Sequence, residues 1–170
     1  METAPALLLE EWLERGPVLV GVGNRWRGDD AAGPMLVARL AGRAGVPCVD
    51  AGDAPERHLG EIAAAGRAAL LVDTVDFGGA PGEVALFRQQ DLAAGLASTH
   101  TCGLGLLMRY LEVESGQEAL LVGIQPGSVG FGEPLSAPVA AAVAALSGLI
   151  EARLRGPAIA AAPAGARKGG

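Results

Sequence analysis

The feature that most limits which fold this chain can adopt is a glycine-containing segment between an apolar stretch and two adjacent carboxylates. Residues 17–23 (PVLVGVG) indicate a buried strand that stops at Gly-x-Gly, and apolar residues in 34–40 recur at helical spacing. Asp29 and Asp30 therefore stand where a strand ends and a helix begins. Open α/β folds form their ligand sites at this carboxyl edge of the sheet. The pair predicts a functional edge of an α/β sheet.

Two other roles for this segment stay open. An Asp near a helix N-terminus can accept backbone N–H bonds as a cap, which would explain Asp29 and in part Asp30. A dinucleotide loop needs Gly-x-Gly-x-x-Gly, whereas Trp26 occupies the third glycine position and the carboxylates would repel phosphates. Asp50, at the end of the second predicted strand, does imitate the ribose-binding acid of such loops.

Alternating strands and helices indicate a parallel-type sheet covered on both faces. We predict strands at 17–23, 46–50, 68–73, 83–88 and 119–124, and helices at 5–15, 31–44, from the Ala54-Pro55-Glu56 segment to 65, 103–114 and 137–153. Only a Pro81-Gly82 turn precedes strand four, so we expect this strand to be antiparallel to its predecessor or at an edge. Residues 1–156 are predicted to form one α/β domain, with a disordered tail at 157–170.

Charge and composition exclude several function classes. The net charge of −6 and the absence of a basic run before the tail argue against nucleic acid and anionic membranes as partners. No apolar stretch reaches the ~20 residues of a membrane span, and the first residues lack the basic start of a signal peptide, so we expect a cytoplasmic protein. Cys48 and Cys102 have no metal or redox spacing and are predicted to be reduced core residues.

Further chemistry-bearing residues fall at the same predicted edge. Asp73 ends an otherwise apolar strand and Asp76 follows it, His100 lies in a loop before the helix at 103–114, and Gln125-Pro126 terminate the last strand. Each of these residues also has an ordinary structural explanation. The acids can accept backbone hydrogen bonds, the histidine can form a hydrogen bond at the surface, and the amide and proline can shape a wall of the edge.

The predicted topology would nevertheless bring Asp30, Asp73 and His100 to one edge of the sheet. Two carboxylates and an imidazole make a first shell for a borderline divalent metal with open positions, and nickel and zinc both fit it. No Ser-His-Asp, Cys-His or Gly-x-Ser-x-Gly signature accompanies them, so we do not expect an activated side-chain nucleophile.

These motifs together resemble the nickel–iron hydrogenase maturation endopeptidases, in particular the branch that processes hydrogenase-3-type large subunits. The resemblance extends from Gly21 to about Pro138. It is carried by GVGNxxxGDD (21–30), APE (54–56), VDTVDFG (72–78), PGE (81–83), STH (98–100) and GIQP (123–126).

The resemblance implies a fold and a ligand set. The fold is a three-layer α/β/α sandwich around a twisted, mostly parallel five-stranded sheet with one antiparallel strand. The nickel ligands that it implies are Asp30, Asp73 and His100. We expect Asp29 or Asp76 to orient one of these ligands by contacting it. The family usually follows its acid pair with Gly-x-Gly, whereas this chain has Ala31-Ala32-Gly33, so a stiffer loop is expected.

The resemblance also implies the activity. The enzyme would be an endopeptidase that removes the C-terminal extension of a nickel–iron hydrogenase large-subunit precursor after nickel insertion. The substrate-borne nickel acts as the recognition tag, and no organic cofactor is expected. The alternatives are a non-enzymatic nickel chaperone using the same ligands and the dinucleotide-binding protein considered above.

Overall fold

A central five-stranded sheet carries the site. The computed structural model describes residues 4–66, 68–93 and 99–156. The strands are β1 Val18–Val22, β2 Cys48–Gly52, β3 Ala68–Thr74, β4 Val84–Phe87 and β5 Glu118–Ile124. Their order is β2-β1-β3-β5-β4, with β4 antiparallel to β5 and the other neighbours parallel. The predicted mostly parallel sheet with one antiparallel strand is confirmed.

Within the described residues, six α-helices cover the sheet. They are α1 Ala4–Glu14, α2 Ala32–Leu40, α3 Leu59–Ala65, α4 Gln89–Ala93, α5 Thr99–Ser115 and α6 Ala137–Arg155. Short 3-10 helices at Gly28–Ala31 and Pro55–His58 precede α2 and α3. Alternate residues of β3 face opposite layers: Leu70 and Val72 pack with α1, α2 and α6, and Ala69 and Leu71 pack with α3, α4 and α5. The sheet therefore has an apolar core on each face, and the three-layer sandwich is confirmed.

Several elements differ in detail from the prediction. The second predicted helix ends at Leu40 rather than near residue 44, because the chain turns through Gly42 and Gly45, both at φ +72°. α4 was not predicted. β4 lies at an edge, as expected, but its neighbour is β5 and not its predecessor β3.

The departure from the family's glycine pattern is accommodated by helical backbone. Ala31 has φ −76° and ψ −6° and Ala32 has φ −58° and ψ −48°, values that any residue adopts. Gly33 is the position that cannot carry a side chain, because a Cβ there would overlap the carbonyl oxygens of Val22 and Val72. α2 can therefore start close against β1 and β3, which places the acid pair directly above the strand ends.

α6 is an exception to the prediction that no segment is long and apolar enough to span a membrane. Its 19 residues have a mean hydropathy of 1.5, enough to cross a bilayer by length and composition alone. Val139, Val143, Leu146 and Ile150 on one side of α6 are buried in the core shared with α1 and α2. Its apolar character is thus explained in part by packing on the sheet.

The structure describes the side chain of one of the two cysteines. Cys48 in β2 is a half-buried free thiol that packs at the margin of a core cluster, and burial raises its pKa. The Cys102 side chain lies outside the described part of the structure.

Candidate functional site

A cleft of about 870 Å³ opens at the carboxyl ends of β1 and β3. These strands are neighbours. After β1 the chain continues to β2 at one edge of the sheet, and after β3 it continues to β4 at the other edge. Open α/β folds bind ligands at such a point of divergence. Five acidic residues line the cleft: Asp30, Asp53, Glu56, Asp73 and Asp76. Arg27 is the sole basic residue that the described part of the chain contributes to its lining. The site is therefore strongly acidic, and three of these acids, Asp30, Asp73 and Asp76, are among those that the sequence places at this edge.

Asp30 is held from both strands that flank the cleft. It lies in the 3-10 helix before α2, where its Oδ2 accepts the backbone N–H of Asn24 at 2.9 Å. Its Oδ1 accepts the hydroxyl of Thr74, at the end of β3, at 3.2 Å. Gly23, at φ +130°, lies so close that a Cβ would overlap the carbonyl oxygen of Asp30. The direction of this carboxylate is therefore set by tertiary contacts and not by the helix alone.

Asp73 lies near the end of β3 and is 6% exposed. Its Oδ1 accepts the backbone N–H of Thr74 at 2.7 Å. Burial and, after it, the charge of Asp30 raise the pKa of Asp73 well above its ordinary value, against a smaller lowering by the Thr74 N–H. The structure thus brings two of the three predicted ligands to one cleft. Their mutual repulsion is the kind that a bound cation relieves.

His100 belongs to a helix and not to a preceding loop. α5 begins at Thr99, four residues before the predicted start at Gly103, so the backbone of His100 lies in its first turn. The backbone is helical on both sides of Gly103, so this glycine does not mark the start of the helix. Gly103, Leu104 and Leu107 line the cleft, so the N-terminal part of α5 forms one of its walls.

The His100 side chain lies outside the described part of the structure, so its predicted contact with the two carboxylates stays a prediction. Among the side chains that are described, no three His, Cys, Asp or Glu groups come together as a metal site.

Asp29 does not cap the helix, contrary to the expectation that capping explains it. The 3-10 helix has no side-chain cap, and Asp29 is fully buried. Its Oδ2 accepts Gly127 N–H at 2.7 Å, Ser128 N–H at 2.9 Å and the Ser136 hydroxyl at 2.9 Å, while Oδ1 accepts Ser136 N–H at 2.6 Å. Burial raises its pKa, but these bonds outweigh burial and leave the pKa below its ordinary value. Asp29 thus fastens the loop after β5 to the acid pair, and no local signal reveals partners about 100 residues away.

Gln125 plays the equivalent role for the loop after β3. Its Oε1 accepts the N–H groups of Phe77 at 2.9 Å and Gly79 at 3.1 Å, and its Nε2 donates to Asp76 Oδ1 at 3.0 Å. The bond from Gln125, with another from Gly78 N–H, lowers the pKa of Asp76. Pro126 lines the cleft, as predicted for a wall. Of the two acids expected to orient a ligand, only Asp76 faces the cleft.

The geometry after β1 is not that of a dinucleotide loop. Gly23 N–H donates to the Gly52 carbonyl at 2.8 Å and is not free for a phosphate. The Trp26 side chain stands 70% exposed at the third glycine position. Asp50, the imitation ribose acid, is paired with Arg25 at 2.6 Å.

Comparison with known proteins agrees with this architecture. Residues 34–153 match the family model described as hydrogenase maturation protease, a range that includes Asp73 and His100 and begins just after Asp30. The chain is 37% identical over 130 residues to the hydrogenase 3 maturation protease of Escherichia coli K12, covering 74% of this chain and 83% of that protein.

Solved structures give the same result. The crystal structure of the nickel–iron hydrogenase maturation protease HycI from Thermococcus kodakarensis matches with a TM-score of 0.79 and 31% identity, covering 88% of this chain and 99% of that one. The solution structure of the endopeptidase HycI from E. coli matches with a TM-score of 0.70 and 32% identity, covering 79% and 88%.

Proposed function

This chain belongs to the hydrogenase maturation protease family, and from that premise we propose that it removes the C-terminal extension of a nickel–iron hydrogenase large-subunit precursor after nickel insertion. It is a hydrolase, an endopeptidase that processes hydrogenase precursors. The observation that carries the finer proposal is the convergence of Asp30 and Asp73 on one acidic cleft whose wall is the N-terminal part of α5. The first turn of that helix includes His100.

Nickel enters this proposal as part of the substrate. Asp30, Asp73 and His100 complete the coordination of an ion that the precursor already holds through its cysteine thiolates. Carboxylates and one imidazole bind a borderline metal less tightly than thiolates do, which suits a site that recognises nickel without removing it. The close approach of the Asp30 and Asp73 charges supports this role, because a divalent cation offsets their repulsion.

The remaining cleft residues receive the peptide to be cut. Pro126 and Val129 of the loop after β5 and Leu104 and Leu107 of α5 all line the cleft, so an extended segment is held against them while the nickel-bearing end meets the carboxylates. Asp29 and Gln125 keep the loop after β5 and the loop after β3 in place through their hydrogen bonds. Reaction takes place in the cytoplasm in this proposal, without nucleic acid or membrane.

Intact-mass spectrometry of the cognate purified precursor tests the function. The nickel-loaded and nickel-free precursors are each incubated with the protein. We expect loss of a C-terminal fragment from the nickel-loaded form alone. Cleavage of both forms would contradict nickel recognition. An unchanged mass of both, together with tight nickel uptake by this protein, would indicate the chaperone instead.

His100→Ala tests the third ligand, and the only other histidine of the chain supplies a matched control. His58 pairs with Glu61 and is not part of the cleft lining. We expect His100→Ala to abolish processing of the nickel-loaded precursor and His58→Ala to leave its rate unchanged. Processing by His100→Ala at the wild-type rate would remove His100 from the ligand set.

A further inference from the structure

Half of the aromatic residues in this chain are exposed, although the chain has only six of them. Trp12 and Phe87 are buried and Phe77 is half-buried. By contrast, the exposed fractions are 70% for Trp26, 46% for Tyr110 and 81% for Phe131. Large exposed apolar side chains gathered in one region mark a binding surface, because burial would otherwise stabilise them. Their location therefore matters.

Three exposed apolar side chains line the cleft, and Trp26 lies between its lining residues Asn24 and Arg27 in the sequence. Leu106, 68% exposed, and Tyr110 line it from α5, and Val129, 41% exposed, lines it from the loop after β5. Gly132 N–H donates to the Trp26 carbonyl at 2.7 Å, and Arg27 Nε donates to the Val129 carbonyl at 3.3 Å. These bonds join the loop of Trp26 to the loop of Phe131. We define the aromatic rim as Trp26, Leu106, Tyr110, Val129 and Phe131.

The rim extends past what a short peptide in the cleft would touch. Trp26 and Phe131 do not line the cleft, which has the size of a small-ligand site. A stable protein–protein interface buries about 800 Å² on each partner, with Trp and Tyr prominent among the residues that carry the binding energy. The cleft can hold the segment to be cut, whereas the rim fits a larger folded surface around it.

We propose that the aromatic rim, which borders the cleft and extends beyond it, is the docking surface for the folded body of the hydrogenase precursor, while the cleft receives its C-terminal segment. This inference rests on the proposed function and adds a second contact region to it. The rim borders the acidic cleft, so a partner bound there is positioned for the carboxylates. A second copy of this chain is a poor occupant, because face-to-face pairing would bring two acidic clefts together in chains that each carry a net charge of −6.

The test is the double variant Trp26→Ala/Phe131→Ala with purified nickel-loaded precursor. The hydrogen bonds that join Trp26 to Asn24 and Gly132 involve only the backbone of Trp26, so the loop keeps them in the variant. We expect KM for the precursor to rise about tenfold or more, with a smaller effect on kcat and an unchanged Tm, because exposed anchors contribute to binding rather than to folding. An unchanged KM in a variant with unchanged Tm would overturn the proposal.

Two further measurements distinguish docking of the precursor from a general surface effect and from self-association. Leu7→Ala removes a side chain that is 51% exposed on α1, outside the cleft lining, and should leave KM unchanged. An equal rise in KM for Leu7→Ala would contradict a localised rim. Light scattering that shows the wild type as a dimer and the double variant as a monomer, with unchanged KM, would assign the rim to self-association and overturn the proposal. If the wild type fails to cleave the precursor, the proposed function itself fails.

Discussion

Thr74 donates hydrogen bonds to both Asp30 and Asp73 and so links the two carboxylates. Thr74 donates its hydroxyl to Asp30 Oδ1 at 3.2 Å and its backbone N–H to Asp73 Oδ1 at 2.7 Å. The two carboxylates come from different strand ends, yet they share this partner and interact electrostatically. Each feature of the arrangement makes a separate prediction.

Replacing Asp73 with Asn should abolish precursor processing and yet stabilise the fold at neutral pH. Burial and Asp30 raise the pKa of Asp73, so its contribution to stability is fully present below the ordinary value of 3.8 and is lost as pH rises through the raised folded pKa. The uncharged amide avoids this loss and still accepts the Thr74 N–H. We expect Tm at pH 7 to rise by about 2–4 °C, equivalent to about 1 kcal/mol for a chain of this size.

Thermal denaturation from pH 7 down to pH 4 checks the sign, since the advantage of Asp73→Asn should shrink as pH falls. Asp53→Asn, at an exposed carboxylate lining the same cleft, is the control and should change Tm by less than about 2 °C. A less stable Asp73→Asn protein at pH 7 would refute the electrostatic explanation.

Thr74→Val should disturb Asp30 while sparing Asp73. Valine keeps the backbone N–H that reaches Asp73 but loses the hydroxyl that reaches Asp30. A hydrogen bond to a charged group contributes about 1.5–3 kcal/mol, so we expect processing of the nickel-loaded precursor to slow by about tenfold. Thr74→Ser keeps the hydroxyl and should recover most of the rate. Equal rates for both variants would show that the hydroxyl does not position Asp30.

Asp29→Ala should destabilise the whole fold. It removes the buried acceptor of the N–H groups of Gly127, Ser128 and Ser136, at a cost of about 3 kcal/mol, or roughly 6–12 °C in Tm. The lowered pKa of Asp29 means that its stabilisation is present above the ordinary value of 3.8 and is lost as pH falls through the folded pKa.

The difference in Tm between wild type and Asp29→Ala should therefore narrow in strong acid. Ser136→Ala is the milder comparison, because it removes one of the four bonds and should cost about 1 kcal/mol. A loss of Tm in Asp29→Ala no greater than in Ser136→Ala would contradict the role of Asp29 as an anchor.

Two glycines at positive φ should respond differently to alanine. Gly23 and Gly42 lie at φ +130° and +72°, but a Cβ at Gly23 would overlap the Asp30 carbonyl whereas one at Gly42 meets open space. We expect Gly23→Ala to displace Asp30 and reduce processing more than tenfold, and Gly42→Ala to cost about 1–2 kcal/mol of stability with unchanged processing. Full processing by a folded Gly23→Ala protein would show that Asp30 tolerates displacement.

Much of the fold follows from local pattern. Runs such as 68–72 are apolar on both faces, so they predict a buried strand regardless of what covers it. Pro81-Gly82 leaves no room for a crossover helix, which puts strand four at an edge. Asp30 and Asp73 are predictable because Asp30 follows one strand and Asp73 ends another, and both strands end at the same side of the sheet. Thr74 could have been found by the same logic, since it directly follows Asp73 in that motif.

Only the tertiary structure decided the contacts between residues that are far apart in the sequence. The sequence by itself determined the three-layer class, the site edge and the family resemblance, because periodicity and spaced motifs are local. It could not show that β4 pairs with β5, that α5 starts at Thr99, or that Asp29 anchors the loop after β5 rather than capping a helix. Those outcomes depend on which groups meet when the strands assemble. A carboxylate between a strand and a helix can accept nearby or distant N–H groups, and packing selects between them.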